Sequence, residues 1–200
     1  MNKGRVFIIS GPSGSGKDTV LKCIFDRIPE IKFSISSITR DMRDGEVEGE
    51  KYNFINREKF EQMLADDEFL EHNTYLGNYY GTPKTPVINC IEKGKDIIIE
   101  VDVNGAEQIR KKLPDTLSIF ITPPSLTVLK ERLYGRGTDS DEVVERRLNE
   151  ALGEIGRANE YDYIVVNDNL ETAVNDVITI ISADSHKAIR NLELINKILK

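Results

Sequence analysis

The sequence predicts an α/β fold, a parallel β-sheet core flanked by helices that carries one β-rich insertion and one helical insertion. Three observations predict it. Four short apolar runs recur along the chain, nearly continuous in hydrophobicity, as strands covered on both faces should be. Helical stretches lie between them, and strands alternating with helices build parallel sheets. Residues 32–85 and 125–160 interrupt that rhythm.

The first run is Val6–Ser10, followed by the glycine-rich stretch GPSGSGKD at 11–18 and a helical stretch at 19–27. In the first interruption, KFSISSITR reads as a strand and DGEVEGEKY as an acidic, turn-rich loop. A short helix over 57–66 follows. LEHNTYLGNYYGT then reads as a hairpin with Gly77-Asn78 as its turn. The second run, 97–101, precedes a helix at 106–112, and the third, 117–121, precedes an Arg-rich helical region. That region is two helical segments joined by YGRGTDSD. Along the second, Val144, Leu148, Ala151, Leu152 and Ile155 form one stripe; Arg147 borders it, and Arg146 points nearly opposite. Arg147 is therefore expected to reach the cleft and Arg146 to face solvent. The fourth run is Tyr163–Val166. From 182 to 200 an amphipathic helix is expected, with Ile189, Leu192, Ile195 and Leu199 on one face, packed on its own domain or against another copy in a homodimer or higher homo-oligomer.

Composition narrows the function classes. The chain has 200 residues and a net charge of -7, which argues against a broad nucleic-acid face but not against a local anion site. No apolar run approaches the roughly 18 residues of a membrane span, and the N-terminal run is too short for a signal peptide, so a cytoplasmic protein without a membrane partner is expected. Cys23 and Cys90 sit in apolar segments without metal-ligand spacing and read as core thiols. His72 and His186 show no partner pattern.

Residues 11–18 nearly fit the phosphate-loop pattern G-x-x-x-x-G-K-[ST]. Gly11, Gly14 and Gly16 let the backbone turn its N–H groups toward one point, and the helix N-terminus adds partial positive charge there. Lys17 supplies a full charge to the outer phosphates. The candidate ATP-binding set is Gly11, Pro12, Ser13, Gly14, Ser15, Gly16, Lys17, Asp18 and Thr19. One departure matters. The last motif position, usually a magnesium-binding hydroxyl, is Asp18, with Thr19 next. Asp18 ligates magnesium directly, acts through a water, or caps the helix; the sequence leaves these open.

The segments SISSITRDMRDGEVEGEKYNF (34–54), FLEHNTYLGNYYGT (69–82), IIIEVDVNGA (97–106), LKERLYGRGT (129–138) and IVVNDN (164–169) occur in an order and spacing that resembles guanylate kinase, over nearly the whole chain to about residue 181. The resemblance implies the P-loop nucleoside monophosphate kinase fold. Its core would be 1–31, 86–124 and 161–181, with a GMP-binding insertion at 32–85, a lid at 125–160, and 182–200 as an extension. It implies transfer of the γ-phosphoryl group of ATP to GMP, and to dGMP, with Mg2+ as cofactor and ATP and GMP as partners. Ser36, Arg40, Arg43, Tyr52 and Tyr80 match positions that hold the GMP phosphate. This is the chemistry that bidentate arginines and hydroxyls supply, although the arginines also have Asp41, Asp44 and Glu46 close by in sequence. Glu71, Thr82 and Asp102 match positions that contact guanine. A carboxylate complements guanine's adjacent N1–H and N2–H and repels the acceptor at adenine N1. Asp102, after a strand end, is also a metal candidate beside Asp18, through water. Glu100 lies two residues earlier on the same face. Arg132, Arg136 and Arg147 match lid arginines and, with Lys17 and Arg40, form the candidate catalytic set, since phosphoryl transfer rests on positioning and charge neutralisation. Gly135 and Gly137 flank Arg136, and both insertions are expected to swing inward on binding. Asn167 matches a position near the adenine, where a turn asparagine is also a plain reading. Two rivals remain: a guanylate-kinase-like binding module, opposed by Lys17, Arg40, Arg43 and the lid arginines, and a kinase for a ribose bisphosphate, opposed by Glu71, Thr82 and the tyrosines.

Overall fold

The computed structural model describes residues 3–135 and 140–200. It divides into two compact units, one of residues 3–11 and 29–118, the other of 12–28 and 119–200.

The first unit holds two sheets. β1 (Val6–Ser10), β2 (Lys32–Phe33) and β7 (Ile97–Glu100) run parallel in the order β2-β7-β1. β1 is buried throughout and Ile97, Ile98 and Ile99 are buried, as their unbroken apolar sequence requires. α3 (Lys84–Glu92) and α4 (Val103–Lys112) cover these strands. The second sheet has the order β4-β3-β6-β5, with β3 (Ser36–Ile38), β4 (Tyr52–Phe54), β5 (Phe69–Tyr75) and β6 (Asn78–Pro83). KFSISSITR is therefore not one strand. It breaks at Ser34 and Ile35, leaving β2 in the parallel sheet and β3 in the other.

The second sheet has two unlike faces, because side chains alternate along a strand. α2 (Arg57–Ala65), capped by Asn56, packs Phe60 onto Phe69 and Tyr79, with ring centroids 4.4 and 5.1 Å apart. Gly81 permits that stack, since a Cβ there would lie 2.8 Å from the Phe69 ring. The hairpin turn is Leu76-Gly77, both at positive φ (49° and 78°), one residue earlier than expected. Type I′ hairpin turns require two such residues.

In the second unit, α1 (Lys17–Arg27) packs on α7 (Leu170–Ser185), and Arg27 bonds Glu171 (2.5 Å) and Asn175 (3.0 Å). β8 (Leu117–Thr122), whose last four residues belong here, pairs in parallel with β9 (Tyr163–Val166) from Ile119↔Tyr163 to Thr122↔Val166. β9 departs from expectation. Only Val165 is buried, while Ile164 and Val166 are 53% and 48% exposed. α5 (Leu126–Tyr134) and α6 (Asp141–Ile155) share a core of Leu129, Leu133, Val144 and Ala151, with Leu148 and Ile155 against it. Leu152, assigned to the same stripe, is exposed.

The expected single C-terminal helix is two elements. α7 runs through the boundary placed at 181 and ends at Ser185; after a short 3-10 helix, α8 (Leu192–Ile198) follows. Ile189, Leu192, Ile195 and Leu199 are all exposed rather than packed. Cys23 and Cys90 are half-buried rather than fully buried core thiols. No described helix is long and apolar enough to cross a membrane.

Candidate active site

The glycine-rich loop turns through two left-handed glycines directly into α1. Gly14 and Gly16 have φ of 87° and 82°, a region that glycine enters without steric cost. Ser15 N–H closes a turn on the Pro12 carbonyl (3.0 Å), and α1 starts at Lys17 with Gly16 as its cap. The orphan N–H groups of the first helical turn thus follow directly on the loop. Two distant side chains brace it. Asn167 is 5% exposed and donates from Nδ2 to the Ser15 carbonyl (2.8 Å). Arg132 donates from Nη1 to the same carbonyl (3.3 Å) and from Nη2 to the Asn167 carbonyl (2.9 Å). Gly14 rests on α5, where a Cβ would lie 2.9 Å from Leu129 Cδ1, and a Cβ on Gly16 would fall on the Asn167 amide.

Asp18 and Thr19 are exposed in the first turn of α1. Arg147 is half-buried, whereas Arg146 is exposed and pairs with Glu150 (3.8 Å), which agrees with the division drawn from the helical stripe. Arg136 and Gly137 lie outside the described residues.

The acceptor candidates gather by strand register. Ser36 is opposite Tyr52, Ile38 opposite Phe54 and Tyr80, Asn73 opposite Tyr80, and Glu71 opposite Thr82. Partners across a ladder and residues two apart along a strand share a face, except across the irregularity between Phe69 and Glu71, where Phe69 turns to α2 and Glu71 away from it. Ser36, Tyr52, Glu71, Asn73, Tyr80 and Thr82 therefore all stand on the face opposite α2. Arg40 follows β3, with its guanidinium 5.5 Å from the Tyr52 ring centre and 5.6 Å from that of Phe54. It bonds Glu46 through both Nη atoms (2.6 and 2.5 Å), the pairing the sequence allowed beside phosphate binding. Arg43 is exposed.

Glu71 is 5% exposed and accepts a hydrogen bond from the Thr82 hydroxyl (2.6 Å). Burial pushes its carboxyl up to about 7; the Thr82 hydroxyl opposes the shift and the Asp102 charge adds to it. α4 presses on this strand. A Cβ on Gly105 would lie 2.9 Å from Glu71 Oε2, so only glycine leaves the carboxylate its place. Asp102 is exposed and caps α4, accepting from Gly105 N (2.8 Å) and from Asn73 Nδ2 (2.6 Å). Glu100 pairs with Lys51 (3.0 Å). Gln108 bonds both the N–H and the carbonyl of His72 (3.2 and 3.0 Å), pinning β5 to α4.

Sequence reasoning passed over Asn73, Gln108 and Gly105 as contributors. The alternation of β5 would have placed Asn73 beside Glu71, two residues on. Gln108 and Gly105 act across a helix–strand contact with no local signal.

A family model described as guanylate kinase matches residues 3–184. A guanylate kinase of Carboxydothermus hydrogenoformans is 47% identical over 187 residues, covering 94% of this chain and 92% of its own. The crystal structure of guanylate kinase from Anaplasma phagocytophilum superposes with a TM-score of 0.78 at 30% identity, covering 95% of this chain and 90% of that one. An uncharacterized protein from Eubacterium ventriosum, 14% identical with a TM-score of 0.51 over 89% of this chain and 98% of its own, shares the fold alone. The loop braced by Asn167 and Arg132, the buried carboxylate at 71 and a family match running almost end to end lead to one conclusion: the chain belongs to the guanylate kinase family.

Proposed function

We propose that this ATP:GMP phosphotransferase holds ATP on the 11–19 loop and GMP on the polar face of the β4-β3-β6-β5 sheet. The observation that supports it most is the convergence of a buried carboxylate and a cluster of Arg40, Tyr52 and Tyr80 on that one face. In this reading Arg40 and Arg43 take the GMP phosphate, with Ser36, Tyr52 and Tyr80 on the remaining oxygens. Glu71, oriented by Thr82, accepts from N1–H and N2–H of guanine, and Asp102 lies at its edge. On the donor side, Lys17 and the first N–H groups of α1 neutralise the phosphates. Asn167 stands beside the loop, close to the adenine. Arg132, Arg136 and Arg147 stabilise charge on the transferring group, which needs placement rather than covalent help.

Among the described residues no group of three His, Cys, Asp or Glu side chains is placed to hold a metal. That fits Mg2+, which keeps most of its waters and takes substrate phosphates rather than a protein cage. Asp18, exposed in the first turn of α1, would approach such an ion directly or through a water, while Asp102, both of whose oxygens accept protein hydrogen bonds, is suited to act through water. Magnesium bound with ATP would supply charge neutralisation to the phosphates. The cytoplasm, where these nucleotides are held, is the proposed compartment.

ADP release, measured with ATP and magnesium and with GMP, AMP, CMP and UMP offered in parallel, tests this reading. Turnover with GMP alone is expected. Lys17→Met should lower kcat by about 100-fold or more, as removal of one charge-stabilising donor does elsewhere. Turnover with AMP equal to that with GMP would overturn the guanine-reading role of Glu71.

A further inference from the structure

The acceptor face carries a side chain that the reaction scheme above leaves unused. Glu46 lies past a tight turn, closed by its own N–H on the Arg43 carbonyl (3.1 Å), with Gly45 at φ 82°. That turn brings its carboxylate back over Arg40. One oxygen accepts from Arg40 Nη2 (2.5 Å), and the other accepts from Nη1 (2.6 Å) and from the Arg43 backbone N–H (2.8 Å). Nη1 also reaches the Asp41 carbonyl (2.8 Å). Arg40 Nε, by contrast, is buried and meets no acceptor in good hydrogen-bond geometry among the described residues; the Tyr80 hydroxyl lies close enough to the guanidinium to act on it. The Arg40 side chain is only 11% exposed, so this orphan donor carries a cost unless something accepts from it. The guanidinium is thus tied by the end that bears both Nη atoms, and its Nε–H is left over.

We propose that Glu46 is a positioning residue for the acceptor phosphate: it fixes the Nη end of Arg40 and the backbone at Arg43, so that the Nε–H of Arg40 remains as a donor for the phosphate. The inference rests on the acceptor-site reading given above. Binding and turning the guanidinium are separable tasks. A planar fork held at one end has lost its rotational freedom before the ligand arrives, and less ordering remains for binding to supply. The rings of Tyr52 and Phe54, 5.5 and 5.6 Å from the guanidinium carbon, leave it little room on their side, and Glu46 holds both of its Nη atoms.

The test compares Glu46→Gln, Glu46→Asp, Arg40→Met and the double variant Arg40→Met with Glu46→Gln, by steady-state kinetics and thermal melting. In Glu46→Gln, KM for GMP should rise about 10- to 100-fold, the range for losing hydrogen bonds to a charged group. KM for ATP, kcat and Tm should stay close to their starting values, and Glu46→Asp should recover part of the loss. The double variant should be no worse than Arg40→Met alone, because Glu46 acts through Arg40. An unchanged KM for GMP in Glu46→Gln would overturn the proposal. A lowered one would also do so, and would show that the carboxylate competes with the phosphate. Additive losses in the double variant, or a rise in both KM values with a fall in Tm, would overturn it as well. If Arg40→Met itself leaves KM for GMP unchanged, the acceptor-site reading fails; if Arg40→Met acts and Glu46→Gln does not, only the role of Glu46 fails.

Discussion

Glu71 concentrates the chemistry of the acceptor face in one ionisation. Burial pushes its carboxyl up to about 7, so the group gains or loses its proton in the neutral range rather than in acid. Guanine offers two donors and needs two bare acceptor oxygens, so KM for GMP should rise as pH falls below about 7 while KM for ATP stays flat. Glu71→Gln should raise KM for GMP by about 100-fold and abolish that pH dependence; initial rates across pH 5.5–8.5, about the usable buffer range, check both. The sign for stability is the reverse. The folded carboxyl holds its proton more tightly than the ordinary value of 4.5, so its contribution is fully present below about 4.5 and is lost as pH rises through about 7. Glu71→Gln should therefore melt near the parent at acid pH and be stabilised by up to about 3 kcal/mol above neutrality. Asn167 is the matching residue on the donor side, a loop brace as much as a nucleotide neighbour. Asn167→Ala removes a buried hydrogen bond to the Ser15 carbonyl and should cost about 1–3 kcal/mol in thermal unfolding. KM for ATP should rise and KM for GMP should not.

At the scale of elements, the parallel strands were legible because burial on both faces writes an unbroken apolar run, and the phosphate loop because glycine, lysine and helix start are contiguous. What failed was information held elsewhere in the chain. KFSISSITR carries strand propensity throughout, but nothing within it says that Lys32–Phe33 pair with β7 while Ser36–Ile38 pair with β4 and β6. Tyr163–Val166 has the composition of a central strand, yet among the described strands of its unit it pairs only with β8 and leaves Ile164 and Val166 exposed. The acceptor residues were found through family likeness; only the register explains why residues as far apart as Ser36 and Thr82 share a face. The hairpin turn shows a cost that tertiary structure overrides. Leu76 sits at φ 49°, where a side chain is strained and where asparagine is at ease. Leu76→Asn, at a turn position 67% exposed, should raise stability by about 0.5–1 kcal/mol, read as a higher Tm.

Taken as a whole, the molecule carries a net charge of -7, and in the proposed reading the cations that meet its two anionic substrates are a local set. Another buried charge lies far along the chain. Asp184, near the end of α7, is 0% exposed in its side chain; it meets Lys187 Nζ at 2.9 Å and Arg190 Nε at 2.7 Å. Burial alone would raise its pKa, but the hydrogen bonds from Lys187 and Arg190 prevail and the carboxyl is held below its usual value. The last turn of α7 is thus neutralised by residues that follow it, while Ile198 and Leu199 beyond them are mostly exposed. The chain end is consequently not graded in importance from the tip inward. An exopeptidase eating back from Lys200 would cross the nine residues 192–200 almost without effect and then meet a step at Asn191 and Arg190. A protein stopping at 191 should melt close to the full chain. One stopping at 186 strips both cations from a carboxylate sealed away from water, and should lose about 3 kcal/mol or more.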